Sequence, residues 1–437
     1  MRVALIGDNC IEYVEQLISL WNRGDCVILI DWRLPLKKII EIIQSNSVCS
    51  CYVIDSLVVD KKIIECIKGY KVDCVIIERR LVGEIIPKDV RLKYKENYSR
   101  TEAVILYSSG TTGEAKGVIL SHFAISTNAD SIQQYMNLKE NDVMYIMKSL
   151  THSSTLVGEL LVGLKNKVKI IVKSAMSNIR NIFFDINKYQ ITIICVNPTI
   201  LKLLVDSYEM FQYQIINTLK VIYCSGAVLE NYIIEKAKIY FNCSILNVYG
   251  LTEAGPRVTA QRGINDSKGS VGKPIQGVQI IIVDHNGVVQ KPFKRGIVHV
   301  KTVTCFNGYV NNKKGKISLY DNWLNTGDIG YVNNKEELFI VGREDNMLIH
   351  QSHNIYPESI ESLIKSLGAV EDCMLGEDER GKLVCYYKTK SGRSLDHAQL
   401  KHIHYACKKE LATFEMPLHY QWVKDFLYTN SGKLIRK

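Results

Sequence analysis

The sequence predicts an α/β protein with a large N-terminal domain at residues 1–344 and a small α+β C-terminal domain at 345–437. Three observations support this. Apolar β-type runs alternate with amphipathic helical segments up to about residue 255. After this point short β-type runs become more frequent, which predicts a small β-rich subdomain at about 256–344. The remaining tail has its own short α/β pattern, so we expect it to form a separate domain.

The first α/β subdomain opens with strands and helices in alternation. Short apolar runs bounded by turn residues predict buried strands, and the intervening segments repeat apolar residues at helical spacing. The predicted elements are a strand at Val3–Ile6, a helix at about 11–21, a strand at Val27–Ile30, a helix after Pro35, and strands at Cys51–Ile54 and Asp73–Ile77. Such alternation predicts a parallel sheet covered by helices.

A second α/β series follows in the middle of the chain. Its predicted strands are Val168–Val172, Thr192–Cys195, Leu219–Tyr223 and Ser244–Val248. Asn197 and Pro198 provide a helix start, since asparagine caps helices and proline suits the first turn. Near residues 279–289, apolar runs flank His285-Asn286-Gly287, and the Asn-Gly pair predicts a hairpin.

Composition limits the class of protein. The chain has 437 residues, enough for two or three domains, and a formal net charge of +10. Its basic residues are dispersed rather than clustered with aromatic ones, so we expect no nucleic-acid partner. The 13 cysteines are scattered and odd in number, which favours a reducing compartment. The first residues contain only a short apolar run, so we expect no signal peptide, no membrane span and a cytoplasmic location.

A loop rich in Gly, Ser and Thr lies between two further predicted strands, Ala103–Tyr107 and Val118–Leu120. It offers backbone N–H groups, hydroxyls and one ammonium group to an anion, and its glycines allow close approach. The Walker pattern is absent, because the sequence after Gly113 is Glu-Ala-Lys. We therefore predict a phosphate loop of another kind. Its anion-binding residues are Ser108, Ser109, Gly110, Thr111, Thr112, Gly113 and Lys116.

Four more motifs follow this loop in a fixed order. The loop SSGTTGEAKG at 108–117 is followed by NVYGLTEAG at 247–255, NTGDIG at 325–330, VGRED at 341–345 and NSGKLIRK at 430–437. Together they resemble the motifs of the adenylate-forming (AMP-binding) superfamily, which comprises acyl- and aryl-CoA synthetases, peptide-synthetase adenylation domains and luciferases. Members usually carry an additional N-terminal segment before the strand that begins here at Val3, so we expect a short form.

The resemblance implies an AMP-forming acid–thiol ligase that activates a carboxylic acid with ATP and Mg²⁺ through an acyl-adenylate, releasing pyrophosphate. Both reacting groups are anionic, so cations must reduce their repulsion. The implied roles are catalysis by Lys433, Glu253, Thr112 and His152, magnesium binding by Glu253 and Thr112, contacts to adenine and the α-phosphate from Tyr249, Gly250 and Thr252, and ribose binding by Asp328 and Arg343.

The acid pocket is also implied by the resemblance. His152 matches a wall position of the pocket, and Gly226 with Ala227 matches its floor. Enzymes of the family that activate amino acids carry an aspartate near the position of His152, but residues 150–153 include no acid. A buried ammonium group would lack a partner there. We therefore expect an aryl or aliphatic acid without an α-amino group.

The second half-reaction passes the acyl group to the thiol of CoA or of the phosphopantetheine on an acyl or aryl carrier protein. In the family, the position of Asp345 is a hinge about which the C-terminal domain rotates, and such closure can assemble a site. A Gly-rich turn usually follows the hinge, whereas residues 350–353 contain no glycine. No further Cys or His pair has zinc spacing near His350 and His353, so we expect both in a surface loop.

Three alternatives remain open from the sequence. The unusual residues 350–353 favour an amine as acceptor of the acyl-adenylate. An amino-acid-activating enzyme would need a rearranged pocket, because the expected acid is missing. A catalytically weak regulatory homologue is suggested by the short start, but the presence of Lys433, Glu253, Asp328 and Arg343 together argues against it.

Overall fold

The computed structural model describes residues 1–55, 61–70, 72–79, 84–108, 116–175, 178–213, 218–263, 265–312, 319–320, 322–350, 353–379, 381–428 and 434–436. Residues 109–115 of the predicted phosphate loop and the predicted catalytic Lys433 lie outside this described part. Both sides of the loop and residues 434–436 lie within it.

The first subdomain alternates strands and helices in the predicted order. Its elements are β1 Arg2–Ile6, α1 Ile11–Arg23, β2 Cys26–Ile30, α2 Leu36–Ser45, β3 Ser50–Asp55, α3 Lys61–Gly69, β4 Asp73–Glu78, α4 Lys88–Lys93, β5 Glu102–Ser108, β6 Lys116–Ser121 and α5 His122–Met136. Local chemistry sets the helix ends: Gly24 ends α1 at φ +87°, a conformation that glycine adopts without steric cost. The central strands β1 and β2 are apolar runs buried on both faces, whereas β4 at the edge of the sheet is largely exposed.

The second subdomain repeats this arrangement. Its elements are β7 Val143–Ile146, α6 Ser153–Thr155, a π-helical turn Leu156–Leu161, α7 Val162–Lys165, β8 Lys169–Val172, α8 Ile179–Tyr189, β9 Ile193–Val196, α9 Pro198–Phe211, β10 Val221–Cys224, α10 Asn231–Phe241, β11 Ser244–Gly250, β12 Arg257–Ala260 and β13 Lys273–Pro274. The Asn197 side chain caps α9 by accepting from the Ile200 N–H, as the sequence predicts.

The β-rich part contains β14 Val278–Val283, β15 Gly296–Thr302, β16 Gly308–Tyr309, β17 Leu319–Tyr320, β18 Trp323–Val332 and β19 Leu338–Arg343, with 3₁₀ turns at Thr252–Ala254, Val310–Asn312 and Glu344–Asn346. Four of these strands follow the order β14-β15-β18-β17 in an antiparallel sheet, and β19 also pairs with β18. A turn at residues 284–287 follows β14, as the Asn-Gly signal predicts. The main partner of β14 is nevertheless β15, and the run after the turn contributes a single bridge, Val283 with Val289.

Two seven-stranded sheets form the framework of the N-terminal part, with orders β16-β6-β5-β2-β1-β3-β4 and β13-β12-β11-β10-β9-β7-β8. One large apolar core contains side chains from both sheets, including Leu5, Leu106, Met144 and Ile170. The predicted α/β class is therefore confirmed. Strands β1 to β4, whose alternation with helices predicts a parallel sheet, pair in parallel. Each sheet also has an antiparallel edge, formed by β6 and β16 in the first sheet and by β12 and β13 in the second. A short loop can join antiparallel neighbours, whereas parallel ones need a long crossover.

The C-terminal elements are β20 Leu348–His350, β21 His353–Ile355, α11 Pro357–Ser366, β22 Asp372–Glu377, β23 Leu383–Lys388, α12 His397–Glu410, a 3₁₀ turn Thr413–Glu415 and β24 His419–Trp422. They enclose an apolar core of their own, which includes Ile360, Leu375 and Ile403. Asn354 Nδ2 lies 3.2 Å from His285 Nε2 of the N-terminal part, and lysines make three further polar contacts between the two parts. These are Lys365 Nζ to Glu230 Oε1 at 2.8 Å, Lys390 Nζ to Asp206 Oδ1 at 3.0 Å, and Lys202 Nζ to the Glu371 carbonyl oxygen at 3.3 Å.

The predicted absence of a membrane span can be compared with the helices themselves. Within the described ranges, no helix combines the length and the apolar character that crossing a bilayer requires.

Candidate active site

The β5–β6 hairpin holds the two sides of the predicted phosphate loop together. Ser108 ends β5 and pairs in register with Lys116, the first residue of β6. The Lys116 ammonium lies 5.8 Å from the centre of the Tyr309 ring, so it points toward β16. Gly117 is required for packing, because a Cβ there would lie 2.7 Å from Val310 Cγ2. The loop residues Ser109, Gly110, Thr111, Thr112 and Gly113 lie outside the described ranges.

Glu253 lies on the 3₁₀ turn after β11 and is only 6% exposed. The Tyr309 hydroxyl donates a hydrogen bond to its Oε1 at 2.9 Å, and the Phe306 N–H donates to its carbonyl oxygen at 2.9 Å. Burial raises the pKa of the Glu253 carboxyl. Across the residues described, no side chain forms an ion pair with it. A nearby cation would therefore stabilise its charged form.

Asp328 is at the centre of a second polar group. The Tyr249 hydroxyl donates to Asp328 Oδ2 at 2.5 Å, and Arg343 Nη1 donates to Oδ1 at 2.8 Å and to the Thr326 carbonyl oxygen at 3.0 Å. Burial alone would lower the pKa of Arg343, but the Asp328 charge raises it overall. Each carboxylate oxygen can accept a second hydrogen bond, so Asp328 retains acceptor sites for hydroxyl groups.

The predicted pocket residues lie where strands of the second sheet end. His152 is exposed. The next residue, Ser153, begins α6, and its Oγ forms a 2.9 Å hydrogen bond with Oγ1 of Thr252, which follows β11. Gly226 and Ala227 are exposed directly after β10, and Gly226 adopts φ +100°. Gly250 ends β11, where a Cβ would lie 2.0 Å from the Pro256 carbonyl oxygen, so only glycine fits.

The predicted hinge residue Asp345 and the two histidines after it, His350 and His353, lie in regular secondary structure. Asp345 lies on the 3₁₀ turn between β19 and β20. His350 and His353 face each other in the β20–β21 register, but their side chains have different partners. His350 is 8% exposed with Nδ1 3.2 Å from Glu377 Oε1, whereas His353 stacks on Phe414. The predicted surface loop is therefore wrong for His350, because its ring is buried beside a carboxylate.

Lys433 lies outside the described part, but the residue three positions later is firmly held. Arg436 forms a bidentate ion pair with Glu361 on α11, with Nη1 at 2.7 Å from Oε1. The Leu375 N–H donates to the same Oε1 at 2.6 Å. This pair attaches the end of the chain to the C-terminal core.

A cluster of buried charged side chains next to the pocket residues was not identified by sequence reasoning. Lys148 follows β7, Glu159 lies on the π-helical turn, and Arg257 begins β12. Glu159 is fully buried with Oε1 3.0 Å from Lys148 Nζ, and burial raises the pKa of its carboxyl to about 7 despite that ammonium group. The sequence indicates two of these residues only as a single charged residue inside an apolar run, Glu159 in LVGELLVG and Arg257 in GPRVTA.

Comparison with known proteins agrees with the predicted ligase class. An oxalate–CoA ligase of Arabidopsis thaliana is 26% identical over 350 residues, which span 78% of this chain and 67% of that protein. A 2-succinylbenzoate–CoA ligase of Enterococcus faecalis is 24% identical over 450 residues, with 100% of this chain and 87% of that protein covered.

Solved structures give the same fold. The anthranilate CoA ligase AuaEII in complex with anthranoyl-AMP superposes with a TM-score of 0.87 at 20% identity, covering 99% of this chain and 86% of that one. The o-succinylbenzoate CoA synthetase MenE of Bacillus subtilis, in complex with ATP and magnesium, gives 0.82 at 22% identity, covering 100% and 88%. The model of the AMP-binding enzyme family matches residues 1–310, so the resemblance carried by the five motifs is confirmed and the chain belongs to this family.

Proposed function

We propose that this protein activates a carboxylic acid with ATP to form an acyl-adenylate and pyrophosphate, and then transfers the acyl group to the thiol of CoA. The hydrogen bond between Tyr249 and Asp328 carries the proposal. It connects the predicted ribose-binding carboxylate to the strand that continues, four residues later, into the predicted magnesium ligand Glu253. Strand β11 and the turn after it would thus support contacts to both the ribose and the phosphates of a nucleoside triphosphate.

The nucleotide would lie across these groups. Asp328 accepts the two ribose hydroxyls, with Arg343 fixing its orientation. The backbone amides and hydroxyls of the β5–β6 loop and the Lys116 ammonium hold the phosphates. Lys433 contributes a compact charge on a flexible stem between the acid and the α-phosphate.

The residues fit Mg²⁺. Glu253 is a buried carboxylate whose pKa is raised by burial and which receives a hydroxyl donor in place of a cation. Mg²⁺ typically takes one or two carboxylates together with phosphate oxygens, so Glu253 and the Thr112 hydroxyl are a suitable pair. When bound, the ion would neutralise charge on the phosphates of the nucleotide.

Two observations support a thiol acceptor and an acid without an α-amino group. The relatives that match most of the chain are CoA ligases. Glu159, a buried acid six residues after Ser153, already pairs with Lys148 and so is not free to bind an ammonium group. A phosphopantetheine thiol on a carrier protein offers the same chemistry and is the second acceptor to test.

The test is ATP-dependent hydroxamate formation, in which hydroxylamine intercepts the acyl-adenylate whatever the natural acceptor. The panel contains oxalate, 2-succinylbenzoate, 4-coumarate, anthranilate, fatty acids and α-amino acids. Lys433→Ala is compared with Lys424→Ala, which changes an exposed lysine on the same domain. We expect a hydroxamate with the wild type and Lys424→Ala, and at least about a hundredfold loss with Lys433→Ala. Equal rates in all three, or no product from any acid, would refute the proposal.

The acceptor is identified in a second experiment. With the activated acid known, CoA, a phosphopantetheinylated carrier protein and simple amines are supplied in turn, and mass spectrometry identifies the acylated product. A thioester supports the proposal. An amide formed without a thioester would instead establish the amine-transferring alternative.

A further inference from the structure

Arg257 is a buried arginine that lacks a counter-ion among the residues described. It is 4% exposed, and its Nε has no hydrogen-bond partner. No carboxylate in the described part of the chain forms an ion pair with its guanidinium. A buried charge is costly unless it is paired, and a guanidinium presents five donors in a rigid fork. The Nε–H of this side chain therefore lacks an acceptor within the described ranges.

The nearest acid does not fill this role. Glu159 lies on the π-helical turn that packs against Arg257, but its Oε1 pairs with Lys148 Nζ at 3.0 Å. Its Oε2 is buried and has no hydrogen-bond partner among the described residues, Arg257 included. The three side chains together carry two positive charges and one negative charge. Once Lys148 and Glu159 have paired, the positive charge of Arg257 remains in excess.

The protein holds the guanidinium in a fixed position. The side chain of Asn128 on α5 makes two hydrogen bonds to the main chain of Arg257. Its Oδ1 accepts from the Arg257 N–H at 3.0 Å, and its Nδ2 donates to the Arg257 carbonyl oxygen at 3.0 Å. On the other side, a Cβ at Gly158 would lie 2.9 Å from Arg257 Nη2, so glycine makes room for the guanidinium. A π-helical turn at this point is a feature that often marks functional sites.

A second buried donor lies near the same guanidinium. The hydroxyl of Tyr135 on α5 is buried and has no hydrogen-bond partner in the part of the chain that is described. A Cβ at Gly158 would lie 2.9 Å from Arg257 Nη2 and 3.8 Å from Ile132 Cδ1, so the guanidinium lies beside α5, about one turn before Tyr135. Burial raises the pKa of Tyr135 to about 12, so its hydroxyl keeps its proton. An unpartnered guanidinium N–H and an unpartnered hydroxyl can each donate a hydrogen bond to an anionic acceptor group.

The location connects this region to the reacting centre. Arg257 follows Thr252 by five residues, and Gly158 follows Ser153 by five, while Ser153 and Thr252 are themselves hydrogen-bonded. Lys148 follows strand β7 at the edge where the parallel strands of the second sheet end, which is where ligands bind in such sheets. An acid whose reacting carboxylate lies near Thr252 can extend between these two segments to Arg257.

We propose that the acid activated by this enzyme carries a second anionic group, in the simplest case a second carboxylate, and that the Arg257 guanidinium binds it. This inference rests on the proposed adenylation and specifies its substrate class. The geometry of the guanidinium allows two parallel N–H to O bonds to a carboxylate.

The test compares acids of equal length that differ in this group: succinate with butyrate, glutarate with valerate, and isophthalate with 3-methylbenzoate. Hydroxamate formation is measured for the wild type, Arg257→Gln, Arg257→Lys and the exposed control Arg262→Gln. We expect the wild type and the control to favour at least one diacid over its partner by at least about tenfold in kcat/KM. Arg257→Gln is expected to reduce that ratio to near one, chiefly through KM, and Arg257→Lys to retain part of it.

Folding and binding are measured separately. Circular dichroism and the thermal midpoint identify variants that have lost their structure, and the rise of the midpoint with the preferred diacid in the absence of ATP reports binding without catalysis. Monoacids activated as well as diacids, or a diacid preference that survives Arg257→Gln in a folded protein, would overturn the inference while leaving adenylation intact. Midpoint stabilisation by chloride or phosphate equal to that by the diacid would do the same, since it would assign the site to a free anion.

Discussion

Removing the Arg436 guanidinium is expected to destabilise the C-terminal domain and to slow adenylation together. The Glu361 carboxylate is 6% exposed in its side chain and would keep one described hydrogen-bond donor, the Leu375 N–H. Breaking a buried ion pair by removing one partner costs about 3–5 kcal/mol. Because the Arg436 side chain is 19% exposed, we expect the lower end of that range, about 3 kcal/mol, for Arg436→Ala.

The effect on activity follows from the position of the pair. Arg436 lies three residues after Lys433. Apart from the Arg436–Glu361 pair, residues 434–436 are held by a β-bridge between Tyr428 and Leu434 and by a 2.9 Å hydrogen bond from the Ile435 N–H to the Leu427 carbonyl oxygen. Loss of the ion pair would give the lysine more conformations to sample before it reaches the acid. We expect a fall of about tenfold in the rate of hydroxamate formation, corresponding to the ordering of about one residue.

Urea denaturation and the hydroxamate assay measure the two effects. Lys236→Ala is the control, because it breaks an exposed pair with Glu209 that is expected to contribute less than about 1 kcal/mol. Arg436→Lys retains the charge but not the fork and should give an intermediate result. The reasoning is refuted if Arg436→Ala unfolds at the wild-type urea concentration, or if it is destabilised as expected but forms hydroxamate at the wild-type rate.

Two further predictions follow from the other buried carboxylates. Asp328→Asn removes the charge that faces Arg343, so we expect KM for ATP to rise by about tenfold or more in steady-state kinetics. The thermal midpoint should also fall, because the partly buried guanidinium of Arg343 loses its counter-charge. The Glu159 carboxyl, which faces Lys148 and Arg257, has its pKa raised to about 7 in the folded state. Its contribution to stability is therefore fully present below pH 4.5 and is lost as the pH rises through about 7. Urea midpoints at pH 5 and pH 8 should fall more steeply for the wild type than for Glu159→Gln, and equal slopes would contradict the assignment.

Much of the fold could be predicted because its signals are local. The Asn197-Pro198 start of α9 and the apolar runs of β1 to β4 depend on a few neighbouring residues each. Pairing between distant segments has no such signal. The strand Gly308–Tyr309 joins the first sheet beside β6, nearly two hundred residues earlier in the chain, and its two residues are too short to form a pattern.

The same contrast holds for the candidate site. Residues on recurring motifs, such as Glu253 and Asp328, could be assigned roles that stay predictions until the variants are tested. The Tyr309 hydroxyl that holds Glu253 and the group formed by Lys148, Glu159 and Arg257 could not be predicted, because each brings together segments distant in the chain. A single charge in an apolar run indicates only that a partner must exist, and the partner depends on tertiary packing.

The way the two domains meet implies a sensitivity to ionic strength. The contacts that Lys365, Lys390 and Lys202 make between the C-terminal elements and the rest of the chain are polar. Tyr356, in contrast, packs against the apolar side chains of Ile297, Ile329 and Val341. Exposed charge pairs weaken as the Debye length falls from about 10 Å at 0.1 M salt to about 3 Å at 1 M, whereas apolar cores do not. Added salt is therefore expected to weaken the exposed Lys390–Asp206 pair, while the apolar contacts of Tyr356 persist.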